Sequence, residues 1–150
     1  MNVQNMILVG LLAGLLSSMN FWTIKLSDVK LHVNDLYMAL LMVGWMLLFE
    51  NITNNKSHGG ASYNVTIIIV SICIIVSTIF LIRRQTFVTD RQYLFGMIPH
   101  HSMAILMSTR ILDKTNNPKI AAMANRIIKD QNNEIDEMNQ LLREITPTRL

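Results

Sequence analysis

Residues 65–82 read VTIIIVSICIIVSTIFLI, eighteen positions without a charge, and Arg83-Arg84 closes the run. A stretch of that length and character matches the roughly 20 apolar residues a helix needs to cross a hydrocarbon core. It predicts a membrane-spanning helix, and the composition agrees. Of 150 residues, 51% are hydrophobic and 15% charged, whereas a soluble domain carries about 25% charged residues. That is too little charge to cover a water-facing globule. Beside the spans there is room for one small soluble domain, which excludes a large multidomain enzyme. The single Cys73 cannot form an intramolecular disulfide.

Toward the N-terminus, two further apolar runs precede this one. Leu36–Phe49 lies between Asp35 and Glu50 and covers about 21 Å as a helix, so it needs its flanks to cross a bilayer. Within it Met38, Met42 and Met46 follow at i+4 on one face. A thioether ladder is a possible path for a soft ion such as Cu(I), although gap filling is the commoner use of methionine. Met6–Ile24 forms the first run, with no charge from Met1 to Ile24. It lacks the basic start of a signal peptide and reads as a retained anchor. Gly10, Gly14 and Ser18, widened by Ala13 and Ser17, give it a small-residue face that lets another helix approach closely.

Lys25 and Lys30 follow the first span, and Arg83 and Arg84 follow the third. Two crossings separate these clusters, so both lie on one side. The positive-inside rule makes that side cytoplasmic, with the N-terminus and the loop 51–64 outside. The expected location is a plasma or inner membrane. His58 and His32 read as solvated loop residues. The chain therefore divides into a three-span domain, 1–84, and a C-terminal domain, 85–150. Acids and bases balance up to Ile82, and the whole +3 of the chain falls from Arg83 onward. The basic residues of the second half are interleaved with acids and lack aromatic neighbours, which argues against nucleic-acid binding.

Two helices are expected in the C-terminal part. Thr89 or Asp90 can cap the first, which runs to about Asp113, and Asn116-Asn117 breaks it. Pro118 suits the first turn of the second, which runs to about Ile145 and is ended by Pro147. At about 100° per residue Met123, Ile127, Glu134, Met138, Leu141 and Ile145 share one face, with Ile120 alongside. Glu134 in that stripe calls for a partner, because burying an unpaired carboxylate costs several kcal/mol.

The first helix offers one. Measured around the helix from Met97, His101 falls at about 40°, His100 at about 300°, Met107 at about 280° and Met103 at about 240°. Five nitrogen and sulfur donors thus share less than half of the circumference. Pro99 removes the backbone bond to the carbonyl of Phe95. Thioethers with imidazole select Cu(I), while imidazole alone also serves Cu(II), zinc or nickel. A di-iron carboxylate site would want Glu-x-x-His pairs, and neither His100 nor His101 has a Glu three residues before it. No His-Glu-x-x-His motif, phosphate loop or Ser-His-Asp order is present.

Met97-Ile98-Pro99-His100-His101, Met103-Ala104, Met107, Pro118, Ile127-Ile128, Gln131, Glu134-Ile135 and Met138 together resemble the Met-x-Pro-His-His family known as domain of unknown function 305. The likeness runs from about Asp90 to Ile145. It implies a ferritin-like helical bundle associated with copper binding, with the histidines and methionines as ligands, in a membrane-anchored member. Longer relatives have more helices than this hairpin. Two helices of this length cannot bury two apolar stripes alone, and a four-helix bundle is the usual solution. The expected fold is all-α, with three transmembrane helices and a two-helix hairpin that completes a bundle by homodimerisation.

Two functions of different class follow. In the first, a membrane-anchored protein binds Cu(I) through His100, His101, Met97, Met103, Met107 and Met138. Glu134 and Gln131 orient the imidazoles, and the ion is sequestered or passed between protein donors and acceptors without turnover. In the second, the hairpin only oligomerises and its histidines are satisfied by Glu134 and Gln131. A copper-dependent oxidase is a third possibility and would need an open coordination position.

Overall fold

The structure, a computed structural model, describes residues 3–54 and 65–145. The readings of His58 and of Pro147 fall outside the described residues. Among the described residues five helices follow in order: α1 (Val3–Leu16), α2 (Val33–Asn54), α3 (Val65–Arg84), α4 (Asp90–Leu112) and α5 (Pro118–Ile145). Two short 3-10 turns, Met19–Trp22 and Leu26–Asp28, lie between α1 and α2. No strand occurs among the described residues.

Two compact units form. One contains the residues up to Ser18 together with Val33–Phe87, and the other contains Met19–His32 together with the chain from Val88 onward. The division at 84/85 expected from the sequence left residues 19–32 with the spans, whereas in the structure this segment folds with the hairpin.

In the first unit α2 has α1 on one side and α3 on the other. Gly14 and Gly10 explain the first contact. A Cβ at Gly14 would overlap the Ala39 backbone, and one at Gly10 would lie 2.9 Å from Val43 Cγ2. The small-residue face of the first span is therefore used within the chain, and is not free to support a dimer. Gly44 does the same for α3, where an added Cβ would meet Ile75 Cγ1 at 2.8 Å. Met6, Val43 and Leu47 form the core of this unit, with Leu11, Ile67 and Ile74 packed on it. Buried Ser71 returns its hydroxyl to the Ile67 carbonyl at 2.7 Å, as a polar side chain in an apolar helix must. Met38 and Met42 are exposed, while Met46 packs on Gly10, so the thioether ladder is divided between outward and inward positions.

Three helical stretches are long and apolar enough to cross a membrane: Val3–Trp22, Val33–Thr53 and Val65–Arg84. The flanks needed by the second span are supplied by continuing the helix past both Asp35 and Glu50. The first run is not one helix to Ile24. After Leu16 the bonding tightens, with Ser18 N–H on the Leu15 carbonyl at 3.2 Å. The polar side chains there favour turns over helix. Asn20 Oδ1 accepts the Lys30 N–H at 2.7 Å.

The exit from α3 is sharp. Gln85 and Phe87 have φ of 49° and 60°, a left-handed conformation that non-glycine residues seldom adopt. The Thr86 N–H reaches back to the Leu81 carbonyl at 3.1 Å, and the Tyr37 hydroxyl donates to the Thr86 carbonyl.

The second unit is the α4–α5 hairpin with residues 19–32 laid on α4. Thr89 caps α4 by accepting the Gln92 N–H, and Asn117 Oδ1 accepts the Lys119 N–H at 2.9 Å beside Pro118. Both starts are where the sequence puts them. The hairpin core is Leu94, Ile98, Ile105, Ile135 and Met138, with Met97, Ile128 and Leu142 against it. This core keeps Met138 of the stripe read from the sequence and leaves other members of it outside. Ala124, Ile135 and Met138 are buried, while Met123, Leu141 and Ile145 are exposed.

Candidate metal centre

α4 runs unbroken through Pro99, which is fully buried. Adjacent histidines on a helix diverge by about 100°, and the structure uses that divergence. His101 turns toward α5, where its Nδ1 lies 2.9 Å from Glu134 Oε2. His100 is exposed, its ring edge-on to that of His101 with 6.1 Å between centroids.

Glu134 is itself held. Gln131 Nε2 donates to the same Oε2 at 3.0 Å, which leaves the second carboxylate oxygen to solvent. The carboxyl is about half-exposed (48%) and not buried in a stripe as expected, because the core draws in Ile135 and Met138 on either side of it. His101 Nδ1 is buried and makes no well-directed hydrogen bond. Its 2.9 Å contact with Glu134 is therefore a close approach in which Nδ1 is not aligned for a hydrogen bond to the oxygen. With Nδ1 set against a carboxylate, Nε2 is the nitrogen left for a ligand, although the directed N–H to carboxylate bond of metal-binding imidazoles is not made here.

The methionines separate. Met97 and Met138 pack in the hairpin core, Met103 is half-buried, and Met107 is exposed (62%). The structure thus brings together His101, Glu134 and Gln131, sets the exposed His100 ring beside that of His101, and does not gather all four methionines around them. Among the described residues no three of His, Cys, Asp and Glu cluster as a metal site. What the hairpin offers is two adjacent imidazoles, with Met103 and Met107 further along the same helix. That donor set suits a soft, low-coordinate cation such as Cu(I) and not a hard one that demands oxygen ligands.

On the other side of α4, sequence reasoning missed a polar cluster. Asp28, buried among the residues of the 19–32 segment and α4, accepts the Ser102 hydroxyl at 2.6 Å. Ser102 Oγ in turn accepts the Ile24 N–H at 3.0 Å, and Ser27 donates to the other oxygen of Asp28 at 3.2 Å. The His32 ring lies over Gly96, where a Cβ would stand 3.6 Å from it. His32 is therefore half-buried against α4, not solvated as the sequence reading had it. Gly96 inside a helix was the available signal of close approach.

The family model described as "Domain of unknown function (DUF305)" matches residues 82–144, which include the whole of α4 and nearly all of α5. The chain is similar to "Uncharacterized protein L153" of Acanthamoeba polyphaga mimivirus, at 49% identity over 139 residues, covering 93% of this chain and 90% of that one. The likeness therefore extends through the spans as well as the hairpin. No solved structure matches the chain. The chain thus belongs to the family of this mimivirus protein and carries the DUF305 domain.

Proposed function

We propose that the protein is a membrane-anchored copper-binding protein that takes Cu(I) as cargo at the α4–α5 hairpin and sequesters it or hands it on. The observation that carries this reading is the chain Gln131 to Glu134 to His101. A surface carboxylate fixed by a neighbouring amide lies against an imidazole whose other nitrogen is left for a ligand, with a second imidazole next to it on the same helix as Met103 and Met107. The donors are soft and the arrangement holds no nucleophile or paired acid and base, so binding without turnover is the economical reading. Protein donors and acceptors of the ion are its expected partners.

A homodimer completes the bundle. Ile127 and Leu141 lie seven residues before and after Glu134, and Met123 and Ile145 lie eleven away, so all share its face. Met123, Leu141 and Ile145 are exposed. A second hairpin on this face would cover apolar surface and bring its own histidines to the same region. The hydrogen bond between Ser102 and Asp28 supports a hairpin and first loop on one side of the membrane, since it joins segments separated by two candidate spans. Lys25, Lys30, Arg83 and Arg84 make that side cytoplasmic.

The competing reading is a structural membrane protein whose hairpin only oligomerises. One observation favours it: Met97 and Met138 are core residues. Competition for Cu(I) against a colorimetric chelator, with the intact protein in detergent and with His100→Ala/His101→Ala, separates the two. Only the copper reading expects metal to be held by the first and released by the second.

A further inference from the structure

Residues 19–32 are packed inside out. Their polar members Asn20 and Asp28 are buried, while Phe21 (61%), Trp22, Leu26 (91%) and Leu31 are exposed. In water this distribution is unfavourable, because large apolar side chains in one short segment would be left hydrated while a carboxylate is desolvated. Lipid reverses the first term, and the hydroxyls of Ser102 and Ser27 on the Asp28 carboxylate offset the second.

The buried side is accounted for by α4: Asp28 on Ser102, the Ile24 N–H on the same hydroxyl, and His32 over Gly96. The exposed side needs an apolar surrounding, and chain continuity says which. The first candidate span runs to Trp22, so Leu26 is four residues beyond the end of a segment that crosses a bilayer, and Val33 begins the next. A segment this short, tethered at both ends to spans, stays near the headgroup layer. Aromatic rings at that depth and exposed Lys25 beside them are the side chains that membrane interfaces favour.

We infer that residues 19–32 form an interfacial strap, sunk into the headgroup region of the membrane by Phe21, Trp22, Leu26 and Leu31, which clamps α4 to the bilayer surface through Asp28 and Ser102. The occupant of this surface is the lipid bilayer that holds the spans. Around α4, Ser102 lies about 100° and Gly96 about 140° from His101, so the strap grips a different side of the helix from the one that carries the His101 imidazole. The inference depends on membrane anchoring and not on copper.

The test uses the full-length protein in vesicles of phosphatidylcholine and phosphatidylglycerol, with acyl chains brominated either near the headgroup or near the bilayer centre. Trp22→Phe/Trp45→Phe/Leu26→Trp reports on the strap alone, and Trp22→Phe, which keeps Trp45 in α2, reports on the spans. Leu26 makes so little contact that the substitution leaves packing intact. For the strap reporter the expected result is blue-shifted emission, quenched more by bromine near the headgroup than by bromine near the centre. Emission at the wavelength of hydrated tryptophan, quenched by aqueous iodide and not by bromolipid, overturns the inference. So does blue-shifted emission that neither reagent quenches, which would mean a protein partner or second copy covers the strap. If Trp45 also escapes bromolipid, membrane anchoring itself fails. If Trp45 is quenched and the strap reporter is not, the strap inference alone falls.

Discussion

Ser102 donates a 2.6 Å hydrogen bond to Asp28, far earlier in the chain, and the residue before Ser102 is His101. The side of α4 that meets the first loop and the side that carries the imidazole are therefore separated by one peptide unit. Ser102→Ala removes the donor to a buried carboxylate and the acceptor of the Ile24 N–H. Leaving such groups unsatisfied costs about 1–3 kcal/mol. Hydrogen exchange should quicken in residues 24–30 while α3 is unchanged. Equal exchange in the variant would show that the contact holds nothing in place.

Gly14 faces the Ala39 backbone with no room for a Cβ. Gly14→Leu should separate α1 from α2 and lower stability in detergent by about 1–3 kcal/mol, the usual cost of overpacking. Leu12→Ala, on an exposed position of the same helix, serves as the control and should change thermal unfolding little. Similar losses from both would mean that α1 packs on another face.

Glu134→Gln keeps the shape of the side chain and removes the charge beside His101 Nδ1. Loss of a group that orients a metal-binding imidazole typically lowers affinity about 10–100-fold, and that is the expected fall in Cu(I) affinity. Asp136→Asn, two residues away and exposed, should leave affinity unchanged. An equal effect at both positions would mean that general negative charge, not orientation, draws the cation.

Met123→Lys/Leu141→Lys places charge on the exposed stripe that shares a face with Glu134. Sedimentation in detergent should show the dimer weakened, with helix content by circular dichroism unaltered. A monomeric wild-type protein would end the four-helix account.

The elements were legible because their signals are local. Eighteen uncharged residues before Arg83, a Thr89 cap and Pro118 in a first turn each act over a few positions, and each appears where the sequence puts it. The pairing of His101 with Glu134 was within reach of helical periodicity, since one α5 turn carries Gln131 and Glu134 together. Its packing was not. Of the stripe drawn through Met123, Glu134, Met138 and Leu141 the core keeps Met138 but not the other three, because α4 presents Leu94, Ile98 and Ile105, and these draw in Ile135 beside it. The clamp on Asp28 was hidden for a related reason. A lone aspartate in a short loop reads as solvated, and only a contact far along the sequence buries it.

The central claim is that the hairpin binds copper through its paired histidines. Cu(I) competition against a colorimetric chelator, on the intact protein and on His100→Ala/His101→Ala, tests it most directly. The account predicts that the intact protein withdraws Cu(I) from the chelator and that the variant, still helical, does not. If both proteins leave the chelator fully loaded, the account is contradicted, and the His101–Glu134 contact is a packing feature of an oligomeric membrane protein.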